Sequence, residues 1–189
     1  MSPILGIWAS AQQPALNATS FESIATVTVG SGGSASVEFT SIPSTYTHLQ
    51  IRGIFKDASP ADNYSTMTVQ LNSDTGNNYS RHYLQGDGAS VYAGGQATQN
   101  GYNYSYATGN TATATNIFSV NIYDILDYAN TNKYKTIRHL GGWDFNGSGF
   151  VTYGSFSWQS TNAVTSIKIT GGASFKQYTQ VALYGIKGA

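Results

Sequence analysis

Three histidines, His48, His82 and His139, are the side chains of this chain best suited to act as bases or metal ligands near neutral pH. Their spacing argues against both roles. A zinc site needs ligands a turn or a strand step apart, and general-base catalysis needs a nucleophile within reach and a third group to orient the ring. Each histidine falls on a different predicted strand, with no partner at i, i+4. Pairing or hydrogen bonding on a sheet face is the expectation for such isolated imidazoles. The sequence has no cysteine, which removes thiolate metal sites, thiol nucleophiles and disulfides together. It also lacks a Gly-x-Ser-x-Gly elbow, a His-Glu-x-x-His pair, a phosphate-binding lysine loop and a dinucleotide fingerprint. No catalytic residue, cofactor or metal is therefore expected.

Two turns gather hard oxygen donors that could hold Ca²⁺: Asp57, Asp62 and Asn63 around one, and Asn72, Asp74, Asn77 and Asn78 around another. Neither follows the Asp-x-Asp/Asn-x-Asp/Asn-Gly ladder, and Asp and Asn favour loops anyway because their side chains bond nearby backbone groups. Asp87, in Gly86-Asp87-Gly88, reads as a turn residue. Aromatic rings offer a third chemistry, stacking on the apolar faces of sugars. Tyr92, Tyr102, Tyr104 and Tyr106, with Trp143, are the candidates for surface recognition, whereas Trp158 sits in an apolar strand and reads as core.

The elements that must position these residues are strands. Apolar residues alternate with period two through 23–29, 35–40, 48–56, 66–72, 79–85, 115–123, 136–142, 149–159, 164–170 and 180–186, with Gly, Pro, Asn and Ser between them. Such spacing predicts an all-β, antiparallel β-sandwich of the jelly-roll kind. Alternation places Val27, Val29, Val37, Phe39, Leu49, Ile51, Phe55, Val69, Leu71, Phe118, Val120, Ile122, Phe156, Trp158, Ile167, Ile169, Val181 and Leu183 in its core. One short helix is expected over Tyr123–Asn130, and a long Tyr-rich surface excursion over Ala89–Thr115.

At 189 residues the chain suits one domain. Residues 1–19 read as an extended N-terminal arm and residues 20–189 as the sandwich. The arm carries Ile4, Leu5, Ile7 and Trp8, too few apolar residues for a core of its own, so they are expected to anchor the protein to a partner. No basic residue precedes this apolar piece and it is too short to cross a bilayer, so neither a signal peptide nor membrane attachment is expected. Only 10% of residues are charged and the net charge is zero, so the basic footprint of a nucleic-acid binder is missing.

The run LNSDTGNNYS at Leu71–Ser80, with RHYLQGDG after it, resembles a pattern in small virion surface proteins of tailed phages, particularly phages of aquatic bacteria. Ser20–Asp57 and Val164–Ala189 share the likeness, which is weakest over Ala89–Gly149. The resemblance implies a non-enzymatic structural protein on the virion exterior: a capsid decoration or cement protein, homotrimeric, bound to the major capsid protein or to tail components. A tail-fibre or receptor-binding module that recognises a host surface glycan is the alternative. A cell-surface or secreted carbohydrate-binding module is a third reading, which the fold class alone would permit.

Overall fold

The computed structural model describes residues 20–60, 63–109 and 115–188. Twelve strands form in chain order: β1 Phe21–Thr28, β2 Ser34–Phe39, β3 His48–Phe55, β4 Tyr64–Leu71, β5 Tyr79–Gly86, β6 Val91–Gln99, β7 Tyr102–Thr108, β8 Ser119–Ile125, β9 Lys135–Asp144, β10 Gly149–Trp158, β11 Ile167–Phe175 and β12 Gln180–Ile186. They make two antiparallel sheets. The larger has eight strands in the order β1-β12-β3-β8-β9-β10-β5-β6, and the smaller has four, β2-β11-β4-β7. Successive strands lie in opposite sheets except β5–β6, β8–β9 and β9–β10, which are neighbours within the larger one. The protein is a β-sandwich, as its period-two patterning predicts.

Alternation explains which faces meet. Leu49, Ile51 and Phe55 of β3, Val181 and Leu183 of β12, Val69 and Leu71 of β4 and Ile167 and Ile169 of β11 are all buried between the sheets. Full burial of such a side chain is worth roughly 1.5 to 3 kcal/mol. The turn after β4 is set by Asn72 and Ser73, both at positive φ of 52° and 55°, a conformation that Asn adopts more readily than most residues. Asn72 then ties a second loop to the first: its Oδ1 accepts from the Thr165 and Ser166 amides, and its Nδ2 donates to the Ala163 carbonyl.

Three expectations are corrected. No helix occurs among the described residues: the segment expected to be helical is the end of β8 followed by a turn, in which the Asn130 amide donates to the Asp127 carbonyl. The reason is pairing, since Tyr123 lies opposite Ile51 and Ile125 opposite Ile137, which holds an extended backbone through the apolar positions. Over its described residues the Tyr-rich excursion forms two strands, β6 at one edge of the large sheet and β7 at one edge of the small one. β8 also has the opposite parity to that expected. Ser119, Asn121 and Tyr123 point inward, whereas Val120 is half exposed on the outside, with Phe118 and Ile122 only partly buried. Val27 is likewise only partly buried.

Candidate functional site

The inverted parity of β8 has a counterpart on the outer face of the eight-stranded sheet, where residues of six strands fall into register. One row runs Ile54, Val120, Gly142, Val151, Gly86, Val91 across β3, β8, β9, β10, β5 and β6. The next runs Arg52, Ile122, Leu140, Tyr153, Leu84, Ala93. Val151 is 63% exposed and Val120 50%, and Leu84 and Leu140 are about equally open. Two adjacent rows therefore present a contiguous apolar surface to solvent, which soluble proteins seldom do over several strands without a use for it. Covering such half-exposed side chains would gain roughly 1 kcal/mol apiece.

Gly142 and Gly86 interrupt the first row and leave a trough. A Cβ on Gly142 would stand 2.8 Å from the Phe150 carbonyl oxygen, so the close β9–β10 approach requires glycine there. The resulting groove, about 750 Å³, is walled by Val120, Leu140, Val151 and the loop from Trp143 to Phe150. The third row is polar. The Asp124 carboxylate accepts from Gln50 Nε2 at 2.6 Å and from Arg138 Nη2 at 2.7 Å, and Gln50 Oε1 accepts from Arg52 Nε at 2.6 Å. Burial works against the charge on Asp124, but the Gln50 and Arg138 hydrogen bonds prevail and hold its carboxyl below the usual range. Arg52 also lies over the Phe21 and Tyr184 rings, which stack on each other.

The histidines occupy three different settings. His48 Nδ1 accepts the Asp127 amide at 3.0 Å, and His82 sits exposed in the polar row opposite Ser155. His139 is fully buried in the core, its Nδ1 3.0 Å from the Tyr102 hydroxyl and its Nε2 2.9 Å from Asn121 Oδ1. Burial pushes this imidazole down to about 3, so it is neutral at physiological pH, with Nε2 donating to Asn121 and Nδ1 accepting from Tyr102. Asn121 in turn donates to the Tyr106 carbonyl and to Ser119 Oγ. Tyr102, His139, Asn121 and Ser119 thus form a hydrogen-bonded chain that is closed to solvent.

No family model matches the chain, and no curated protein or solved structure does either. The site must be read from its own residues.

Of the tyrosines expected at a recognition surface, Tyr102 and Tyr106 are core residues, a correction that follows from the pairing of β7 with β4. Tyr104 is half-buried and stacked on Tyr83, with Arg81 over its ring. Only Tyr92 is exposed, its hydroxyl donating to Asp87. Trp143 is nearly buried and stacks on Tyr64, and Trp158 is core as expected, with Nε1 donating to Asp74 at 2.7 Å. Ile4, Leu5, Ile7 and Trp8 lie outside the described residues, as does Asp62. The oxygens considered for Ca²⁺ make internal hydrogen bonds: Asp74 accepts from Trp158 and the Gly76 amide, and Asp57 from Ser65 and the Ser59 amide. Among the described residues no cluster of three or more His, Asp or Glu side chains could hold a metal.

The outer rows were missed by a sequence reading that sought one buried parity per strand. A signal was present. In β10, Val151 and Tyr153 occupy one parity while Phe156 and Trp158 occupy the other, a two-sided apolar pattern that marks a sheet with something to cover on both faces.

Proposed function

We propose that this protein is a structural component of the exterior of a tailed-phage virion, most simply a capsid decoration or cement protein, and that it docks through the outer face of its eight-stranded sheet. The observation that carries this reading is the pair of registered apolar rows centred on Val120, Leu140, Val151 and Leu84, exposed on an otherwise well-packed sandwich. Support also comes from the resemblance of three segments to virion surface proteins. We further read the alternation of β1-β12-β3-β8 against β2-β11-β4-β7 as a jelly roll widened by the β5–β6 and β9–β10 hairpins. In this reading each copy contributes modest contacts, and a symmetric array, by preference of trimers, makes them strong collectively.

The test is incorporation. Val120→Asp with Val151→Asp places two charges on the apolar rows while leaving the inward-facing core untouched. Virions assembled with this variant should lack it, although the purified variant melts like the parent. Full occupancy by the variant would refute the docking role. Counting copies in purified particles separates attachment sites: a number on the order of hundreds places the protein on the capsid, and a few tens or fewer on the tail.

A further inference from the structure

We propose that a second groove on the same face, between Tyr134 and Tyr153, is a binding site for a neutral saccharide. It measures about 460 Å³, room for a sugar unit or two, and lies over the polar row, between Tyr153 on one side of that row and Tyr134 on the other. Tyr134 is 56% exposed and Tyr153 50%, so two rings are open to a ligand. Large aromatic faces of this kind match the apolar C–H faces of a pyranose.

Leu126 and Ile137 also line the groove, and its charged side chains are electrically balanced. Arg138 pairs with Asp124, and Lys133 with Asp127, so two cations and two anions cancel. An anion would meet two carboxylates and a cation two paired bases. A ligand bearing many hydroxyls and no charge can instead use both the N–H donors and the carboxylate acceptors. The carboxylates stay ionised acceptors well below neutral pH: the Lys133 hydrogen bond holds the Asp127 carboxyl below its usual range, as Gln50 and Arg138 do for Asp124.

The groove is also built rigidly. Fully buried Lys135 donates from Nζ to the carbonyls of Asn130 at 2.6 Å, Lys133 at 3.0 Å and Thr161 at 3.2 Å, which fixes the loop that carries Lys133 and leads to Tyr134. His48 holds the Asp127 amide at the loop's other end. Side chains fixed before the ligand arrives lose little entropy on binding. This inference places saccharide chemistry away from the Tyr102–Tyr106 tract, at the polar end of the face whose apolar rows are proposed to dock.

The experiment uses the full purified chain and a panel of maltotriose, cellotriose, mannotriose and lactose, with a sialylated and a sulfated glycan for comparison, read by saturation-transfer NMR and calorimetry. At least one neutral sugar should bind. Tyr134→Ala and Tyr153→Ala should each weaken it roughly tenfold or more, whereas Tyr178→Ala, at a still more exposed ring outside the groove, should not. Unchanged thermal melting shows that the variants fold. Binding to no neutral member, preference for the acidic glycans, or binding that survives loss of both Tyr134 and Tyr153 would each overturn the proposal.

Discussion

Acid should destabilise this fold through one residue more than any other. His139 is held neutral inside the sandwich between Tyr102 and Asn121, and burial lowers its folded pKa to about 3 against an ordinary value of about 6.5. The sign follows from proton uptake. Below about pH 6.5 the unfolded chain takes a proton on this imidazole that the folded chain refuses until about pH 3, so stability is flat above this window and falls progressively through it as pH drops. Lowering pH from about 7 to about 4 removes roughly 2.5 units at 1.36 kcal/mol each, or about 3 kcal/mol. That is a large fraction of the 5 to 15 kcal/mol of a typical domain. Carboxylates also titrate near pH 4, so the assay compares urea unfolding of the parent and of His139→Gln, a substitution that keeps an amide donor and acceptor but cannot be protonated. The parent should lose about 3 kcal/mol more than the variant between those pH values, whatever the offset between them at neutrality. Parallel stability curves would show that His139 is not held neutral by the core, and would refute the reasoning.

Lys135→Met should leave three loop carbonyls without their shared donor and cost about 3 kcal/mol in urea unfolding, with faster proteolysis in the 126–134 loop as a local signature. Deleting Met1–Ser10, which removes Ile4, Leu5, Ile7 and Trp8, should leave the circular dichroism and melting of the sandwich intact but reduce incorporation into particles, and Trp8→Ala should weaken it. Full incorporation of the truncated protein would show that the arm does not anchor it.

Strand positions were legible because alternation is a local signal. Each of the ten segments read as a strand overlaps a strand, with ends displaced by a few residues, and Leu49, Ile51, Phe156 and Trp158 are core as expected. β6 and β7 were not legible, because Gly94, Gly95 and the Asn, Ser and Thr residues around Tyr102–Tyr106 have the composition of a loop, and their pairing with β5 and β4 is a tertiary fact. Inverted β8 defeats sequence reading for a sharper reason. A hydrophobic rule sends Val120 inward and Asn121 outward, but inside the sandwich Asn121 finds His139 and the Tyr106 carbonyl, partners that residues far along the chain supply. The same inversion exposes Val120, so the error in the core and the missed outer rows have one origin. Tyr134 and Tyr153 stood out in no motif; only the loop anchored by Lys135 and the β9–β10 register bring them to one groove.

Lys135 gives the sandwich an unusual independence from its medium. Many surface loops are ordered by a diffusible cation, and they loosen whenever that ion is diluted, chelated or displaced by a competitor. Here the positive charge that gathers the Asn130, Lys133 and Thr161 carbonyls is covalently attached to β9. Its effective concentration is therefore set by the chain and is the same in fresh water, brine or a chelating buffer. The anchoring of these three carbonyls, unlike the exposed Lys133–Asp127 pair in the same loop, is thereby uncoupled from the ionic composition of whatever environment surrounds the molecule.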